Sequence, residues 1–267
     1  MQVLDYSAGR PGAAAVRKAG YGGAVRYIGF PHRAKCTTVG ELDDFTKHGL
    51  GMALVYEDNS GDWLGGKAQG VAAGHRAREH ATAIGFPKNR PIYMAVDRDV
   101  VGEMQLQTMV HYLWGANASL GGPHLTGVYG EHDVCERAAM AGVAGYFWQT
   151  TAWSHHVEFP GRHLLQLVGE VQVNGFDCDV NQVVRDDWGQ HDWKLAPPKP
   201  IPPLKPIEET DMRIIDCIGM PALVVFGDRS HEQITVAERD ALRSAGVPAE
   251  AVTKEERATL LALLDKN

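Results

Sequence analysis

The chain has 267 residues, 44% of them hydrophobic and 22% charged, which is the balance of an ordinary globular protein with a sizeable core. Its formal net charge is −7, and no Lys/Arg run is longer than two residues. This distribution argues against a basic stripe for a polyanion, so we expect no nucleic-acid partner. The 4 cysteines form no C-x-x-C pair, which predicts free thiols instead of a zinc ribbon or a disulfide framework.

Short apolar runs alternate with helical patterns over the first part of the chain. The predicted strands lie at Val3–Leu4, Ala24–Ile28, Met52–Tyr56, Ile92–Val96, Leu125–Tyr129, Tyr146–Trp148, His163–Leu167 and Phe176–Val180. The predicted helices cover residues 11–19, 38–48, 65–84, 102–118 and 132–141. Thr38 and Glu41 fit a capping box at the start of the second helix.

Regular alternation of strands and helices predicts an α/β fold in which a parallel sheet is covered by helices. About eight strands in roughly 190 residues favour a closed (β/α)8 TIM-like barrel with degenerate last units. An open, doubly wound sheet is the structural alternative. Its nucleotide-binding versions lose support because the sequence has neither a G-x-G-x-x-G turn after a strand nor a P-loop.

The segment PPKPIPPLKP at residues 197–206 contains 6 prolines. Consecutive prolines favour extended backbone, so we predict a linker at 193–210 between a barrel at 1–192 and a small α/β module at 211–267. Within this module the predicted strands are Arg213–Ile218 and Ala222–Phe226, and the predicted helices are Thr235–Ala245 and Lys254–Leu264. Such a small module suits wall binding or oligomerisation better than independent folding.

Carboxylates recur where the predicted strands end or shortly beyond, and two lie within the final strand. They are Asp5, Glu57, Asp97, Asp99, Glu131, Asp177 and Asp179. In a parallel barrel the carboxyl ends of the strands meet at one face, where active sites are built. Glycoside hydrolysis uses a pair of carboxylates in a cleft, one to protonate the leaving oxygen and one to attack or stabilise the cationic sugar. Each of them alone could instead be a helix cap or a turn former.

Aromatic and amide side chains gather at the same strand ends, as sugar-binding sites require. The candidate substrate-binding residues are Tyr6, Tyr27, Tyr56, Trp63, Tyr129, Gln149, Trp153, Gln166 and Asp179. About half of the aromatic residues could equally belong to the core. The histidines have no ligand spacing, and neither H-E-x-x-H nor G-x-S-x-G occurs, so we expect no metal, no cofactor and no serine nucleophile.

The segments that carry this pattern resemble a known family. LDYSAGRPGAAAVRKAGYGGAVRYIG, GLGMALVYE, PIYMAVDRDV and LTGVYG are similar, in order and spacing, to the glycoside-hydrolase-like barrels of the domain of unknown function 1906 family. The resemblance covers about residues 2–185. It implies a barrel and a place in actinobacterial secreted proteins, phage lysins or phage tails.

The chain is also distantly similar to the family 25 lysozymes. That resemblance matches Asp5 to their first-strand Asp, Asp97 to the Asp of their strand-four Asp-x-Glu, and Asp177 or Asp179 to their last-strand Asp. Asp99 stands where those enzymes carry a catalytic Glu and is one methylene shorter. The resemblance implies that Asp97 is the nucleophile or charge stabiliser, with Asp99 or Glu57 as general acid.

We therefore expect a peptidoglycan-directed glycoside hydrolase of the lysin type, in which Asp5 and Asp177 position the sugar and tune the acid. The alternative is a non-catalytic glycan-binding or virion protein, which the Asp99 substitution favours. A weaker third possibility, an amidase or deacetylase, lacks the metal or thiol signature that it needs. The N-terminus has no secretory signal and no apolar run spans a bilayer, so we expect synthesis in the cytoplasm, action at the bacterial wall and no membrane partner.

Overall fold

The computed structural model describes residues 1–192, 213–216, 222–225, 231–234 and 249–251. The chain divides into two compact units, Met1–Lys199 and Pro200–Asn267. Among the described residues, no helix combines the length and the apolar character needed to cross a lipid bilayer.

The first unit is a closed barrel of eight strands, β1 to β8, joined in sequence order. The strands are β1 Gln2–Asp5, β2 Gly23–Ile28, β3 Gly51–Tyr56, β4 Ile92–Ala95, β5 Thr126–Gly130, β6 Tyr146–Thr150, β7 Leu164–Val173 and β8 Phe176–Val183. The helices are α1 Ala13–Lys18, α2 Val39–Lys47, α3 Gly66–Ala83, α4 Glu103–Leu120 and α5 His132–Met140. The predicted TIM-like barrel with incomplete last units is confirmed.

Strand β8 differs from the prediction that all strands end at one face. Strands β1 to β7 are parallel, whereas β8 is antiparallel to both β7 and β1. The reason is local, because β7 and β8 form a hairpin through Asn174 and Gly175, which both have positive φ, instead of a β/α crossover. The first half of β8 therefore lies beside the last residues of β1, with Asp179 opposite Asp5.

Alternate residues of each strand point into the barrel, where they form a compact core. The buried members of this core are Val3, Val25, Ala53, Val55, Tyr93, Ala95, Tyr129, Tyr146, Trp148, Leu164 and Trp188. Trp188 closes the end at which β1 to β7 begin, and its carbonyl accepts a hydrogen bond of 2.8 Å from the Tyr93 hydroxyl. The opposite end, where β1 to β7 finish, is called the mouth below.

Helix α2 begins as the sequence predicts, but only half of the capping box forms. The Thr38 side chain accepts a hydrogen bond from the Glu41 backbone N–H at 3.3 Å. The Glu41 side chain does not return to Thr38; it accepts hydrogen bonds from Tyr6, Arg10 and Arg26 instead. Arg26 is fully buried, so its guanidinium requires this carboxylate as a partner.

Helices α3 and α4 pack through glycine. A Cβ atom at Gly70 would collide with the Tyr112 carbonyl, and one at Gly115 would collide with the Lys67 carbonyl. These glycines let the backbones of the two helices pack in direct contact.

The second unit contains a four-stranded sheet in the order β11-β10-β9-β12. Its strands are β9 Arg213–Asp216, β10 Ala222–Val225, β11 His231–Ile234 and β12 Ala249–Ala251. The sequence predicts β9 and β10 but not β11 or β12. The predicted linker at 193–210 and the predicted helices Thr235–Ala245 and Lys254–Leu264 lie outside the described residues.

Candidate active site

A cavity of about 230 Å³ opens at the mouth of the barrel, and we call it the mouth pocket. It is lined by Asp5, Tyr27, Val55, Glu57, Ala95, Asp97, Tyr129, Trp148, Thr150, Ala152, Trp153, Gln166 and Asp179. The four carboxylates come from β1, from the residues after β3 and β4, and from β8. Residues separated by more than 170 positions thus converge on one site.

The two-residue period of the strands explains which side chains enter the mouth pocket. Val55 and Ala95 face the barrel interior, so Glu57 and Asp97, two residues further along, continue on the same side. Tyr6 and Tyr56 occupy the intervening positions and point toward the helices. The structure therefore brings together eight predicted site residues: Asp5, Tyr27, Glu57, Asp97, Tyr129, Trp153, Gln166 and Asp179.

Two predicted catalytic carboxylates do not line the mouth pocket. Asp99 is exposed in the loop that follows β4. Asp177 is exposed near the tip of the β7–β8 hairpin, where it accepts a hydrogen bond of 2.8 Å from Gln172. Because β8 is antiparallel, Asp179 lies nearer the barrel than Asp177 and takes the place beside Asp5.

Four predicted substrate-binding side chains have structural partners instead. The Tyr6 hydroxyl donates to Glu41 at 2.9 Å, and the Tyr56 ring is fully buried beside Phe30. Trp63 is fully buried in a 3-10 turn, where its indole N–H donates to the Ser60 carbonyl. Gln149 faces away from the barrel interior and hydrogen-bonds the backbone of Val157 and Phe159 in the loop after β6.

Asp5 is the most enclosed carboxyl group of the mouth pocket, with 2% of its surface exposed. Its Oδ2 accepts hydrogen bonds from the Asn181 amide at 2.7 Å and the Gln166 amide at 3.1 Å. Burial raises the pKa of Asp5 to about 7; the Asn181 hydrogen bond opposes the rise, and the charge of Asp179 adds to it.

The other three carboxylates of the mouth pocket are less enclosed. Burial, followed by the charge of Glu57, raises the pKa of Asp97. Burial, followed by the charges of Glu170 and Asp97, raises the pKa of Asp179. Glu57 is paired with the Lys35 ammonium at 3.0 Å, and that ammonium lies 4.8 Å from the centre of the Tyr27 ring. The site therefore combines an ion-paired carboxylate with carboxyls that hold protons more tightly than usual.

Trp153 stands at the rim of the mouth pocket with 40% of its surface exposed. Its φ is 58°, a left-handed conformation that costs a non-glycine residue energy, so the loop must hold it there. Ser154 Oγ accepts from the His132 N–H and donates to the Thr150 carbonyl. Gln149 bonds the Val157 carbonyl and the Phe159 N–H, each at 2.7 Å. These hydrogen bonds fix the loop after β6, and so hold the Trp153 indole at the rim of the mouth pocket.

Glu131 is buried but does not line the mouth pocket. It precedes α5, and its carboxylate accepts the Val100 backbone N–H at 2.8 Å. Burial raises its pKa to about 7, against the effect of that hydrogen bond. Its contact joins the loop after β4 to the start of α5, which is a structural role.

Sequence reasoning missed several members of the site. Val55, Ala95, Thr150 and Ala152 line the mouth pocket without a charged or aromatic group to mark them. What could have identified them is the two-residue alternation of strand side chains. Each lies two residues from another residue that lines the mouth pocket, and so faces the same side. Lys35, which pairs with Glu57, carried no comparable signal. Within the described residues no group of three or more His, Cys, Asp or Glu side chains could hold a metal ion.

A closed barrel whose mouth gathers four carboxyl groups and a rim tryptophan has the architecture of a glycoside hydrolase-like barrel. The chain belongs to the family described as "Rv2525c-like, glycoside hydrolase-like domain", which matches residues 14–197.

Several known proteins are similar to this chain. "Putative peptidoglycan hydrolase Rv2525c" of Mycobacterium tuberculosis is 32% identical over 200 residues, covering 70% of this chain and 82% of that protein. The crystal structure of the Tat-secreted Rv2525c with L-tartrate superposes with a TM-score of 0.66 at 33% identity, covering 71% of this chain and 98% of that one. An uncharacterized Bacillus stearothermophilus protein shares the fold, with a TM-score of 0.53 at 18% identity, covering 69% of this chain and 96% of that one.

Proposed function

We propose that this protein is a glycoside hydrolase that cleaves the glycan strands of peptidoglycan at the bacterial cell wall. The observation that carries the proposal is the mouth pocket, where Asp5, Glu57, Asp97 and Asp179 face a cavity bordered by Trp153. Similarity to a protein named for peptidoglycan hydrolysis supports the choice of substrate.

The site has the parts that glycoside hydrolysis needs. One carboxyl group must donate a proton to the leaving oxygen, while a carboxylate stabilises or attacks the cationic sugar. Asp97 suits the second task by its position, because it follows β4 and its side chain enters the mouth pocket. The Trp153 indole offers a face for a pyranose ring. Tyr27 and Gln166 supply hydroxyl and amide groups for sugar hydroxyls.

The test is to incubate the protein with purified cell walls and to identify the released sugar ends by mass spectrometry. We expect Asp97→Asn and Glu57→Gln each to lower the release by at least about a hundredfold, the order contributed by acid–base steps. Asp177→Asn and Asp99→Asn are matched controls, because both carboxylates are exposed and outside the mouth pocket. Equal losses in all four variants would contradict the assignment.

A second candidate function is glycan binding without turnover. It is favoured by Asp99, which replaces the lysozyme Glu in sequence and is exposed outside the mouth pocket. Under this alternative the wild-type protein would sediment with purified walls yet release no sugar ends from any of them.

A finer part of the proposal is that the protein is a phage-type lysin or tail-associated protein whose residues 211–267 bind the wall or oligomerise. It is supported by the proline-rich segment at 197–206, which separates the two units in sequence. Sedimentation of the 211–267 fragment with purified walls, compared with its mass in solution, tests both roles.

A further inference from the structure

Asp5 lies in a hydrogen-bond network that treats its two oxygens differently. Both the Asn181 and the Gln166 amides donate to Oδ2. Within residues 1–192 no group donates a hydrogen bond to Oδ1. An ionised carboxylate accepts on both oxygens, whereas a protonated one carries its hydrogen on a single oxygen. Because both amide N–H groups point at Oδ2, the hydrogen of the protonated form would lie on Oδ1.

The Asn181 amide cannot turn round, because its carbonyl oxygen is also occupied by a group that can only donate. Trp148 donates its indole N–H to Asn181 Oδ1 at 2.7 Å, and Tyr129 donates its hydroxyl to Gln166 Oε1 at 2.6 Å. Trp148 and Asn181 are buried, so neither can exchange its partner for water cheaply. The Trp148 indole thus fixes the Asn181 amide with its N–H toward Asp5, and the Gln166 amide points its N–H the same way while its oxygen bonds the Tyr129 hydroxyl.

The remaining groups around Asp5 are mostly acidic or neutral. They are Asp179 and Cys178 on β8, Arg26 and Tyr27 on β2, and Tyr129 on β5. Arg26 is the one cation among them, and it is engaged with the Glu41 carboxylate at 2.9 Å. Asp5 therefore has no ion-pair partner of its own in this group, unlike Glu57, which has Lys35.

We propose that Asp5 is the proton donor of the mouth pocket, with its hydrogen on Oδ1, and that Asn181 and Gln166 are positioning residues that keep it there. This inference rests on the proposed glycoside hydrolysis. The resemblance to the lysozymes implies Asp99 or Glu57 as the acid. The inference gives this role instead to Asp5, which lies in the mouth pocket and has no salt bridge to a cation within residues 1–192.

The step balances without a cofactor. The Asp5 Oδ1–H bond breaks and an O–H bond forms on the glycosidic oxygen, which leaves with the electron pair of its bond to the sugar. Asp97 faces the cationic carbon, and Asp5 remains as an anion whose Oδ2 already accepts two amide hydrogen bonds. Water then adds its hydroxyl to that carbon and returns a proton to Asp5.

The first experiment does not require catalysis. The carboxyl carbons of aspartate in the full-length chain are labelled with ¹³C, and the Asp5 signal is identified by its loss in Asp5→Asn. We expect this signal to titrate near pH 7. Gln166→Met removes one amide donor and should move the midpoint upward by about one pH unit, a tenfold change in proton affinity. Gln182→Met, which changes an exposed amide on β8, should leave it unmoved.

The second experiment measures sugar-end release from purified walls against pH. Asp5→Asn should lower release at least about a hundredfold. The fall of wild-type activity on the basic side should follow the Asp5 titration and shift with it in Gln166→Met. An Asp5 signal that titrates near pH 4 overturns the inference. Full activity of Asp5→Asn also overturns the donor role but leaves the hydrolase standing. A wild-type protein that releases nothing overturns the hydrolase and the donor role together.

Discussion

Asp5→Asn should stabilise the protein above neutral pH and change its stability little in acid. Asparagine has the shape of the protonated aspartic acid, and its carbonyl oxygen can accept the two hydrogen bonds that reach Oδ2. The substitution therefore removes only the ability to ionise in an enclosed place, where 2% of the residue is exposed.

The magnitude follows from the two states of the carboxyl group. Its ordinary pKa is 3.8, and burial raises the pKa to about 7 in the folded protein. Below pH 3.8 the group is protonated in both states, so its contribution to stability is fully present. As pH rises toward 7 the unfolded chain loses this proton while the folded protein retains it, and stability falls. About 3 pKa units correspond to about 4 kcal/mol, which is the gain expected for Asp5→Asn above pH 7.

The assay is equilibrium urea unfolding of both proteins at pH 4 and pH 8, followed by tryptophan fluorescence. Asp43→Asn is the control, because Asp43 is exposed on α2. A difference in unfolding free energy between Asp5→Asn and wild type that is the same at both pH values would refute the reasoning. So would a gain of equal size in the Asp43 control.

Three further predictions follow from the loop, the buried ion pair and the division of the chain. Trp153→Gly should weaken sedimentation with purified walls about tenfold, because one stacked ring contributes about 1 kcal/mol. It should not lower the stability, because glycine accepts the φ of 58° without strain. Met140→Ala, at an exposed apolar residue on α5, is the control and should change neither binding nor stability. Glu41→Gln should lower the free energy of unfolding by about 3 kcal/mol in urea titrations, because it leaves the buried Arg26 guanidinium without its carboxylate. An unchanged urea midpoint would contradict this. Fragment 1–192 should unfold at the temperature of the intact chain, whereas 211–267 should be marginal or self-associate; aggregation of the first fragment would show that the division is wrong.

Much of the barrel could be predicted because its strands are short apolar runs separated by helical patterns. The site was harder, because membership depends on which alternate residues face inward. Asp5 and Tyr6 are neighbours at the end of β1, yet one enters the mouth pocket and the other reaches Glu41. Local composition does not distinguish them; only the register of the closed sheet does.

The last strand shows a second limit. Asp177 and Asp179 lie two residues apart and share a face of β8, so sequence alone could not choose between them. The choice was made by the hairpin that reverses β8 and sets Asp179 opposite Asp5. The hairpin itself has a local signal, Asn174–Gly175 between two apolar runs, but the pairing of β8 with β1 joins residues far apart in sequence and leaves no local pattern.

The reversed strand β8 also determines at which end of the barrel residues 1–192 begin and finish, and so where the barrel can be coupled to a surface. The Val183 N–H donates to the Met1 carbonyl at 3.0 Å, and the His191 N–H donates to the Met52 carbonyl at 2.8 Å, so both ends of residues 1–192 lie at the closed end. Along β8 this end is separated from Asp179 by roughly 13 Å of strand. In a fragment of residues 1–192, a bead, dye or electrode coupled through Met1 would leave the mouth turned toward the medium. The barrel is therefore suited to oriented immobilisation with its pocket accessible.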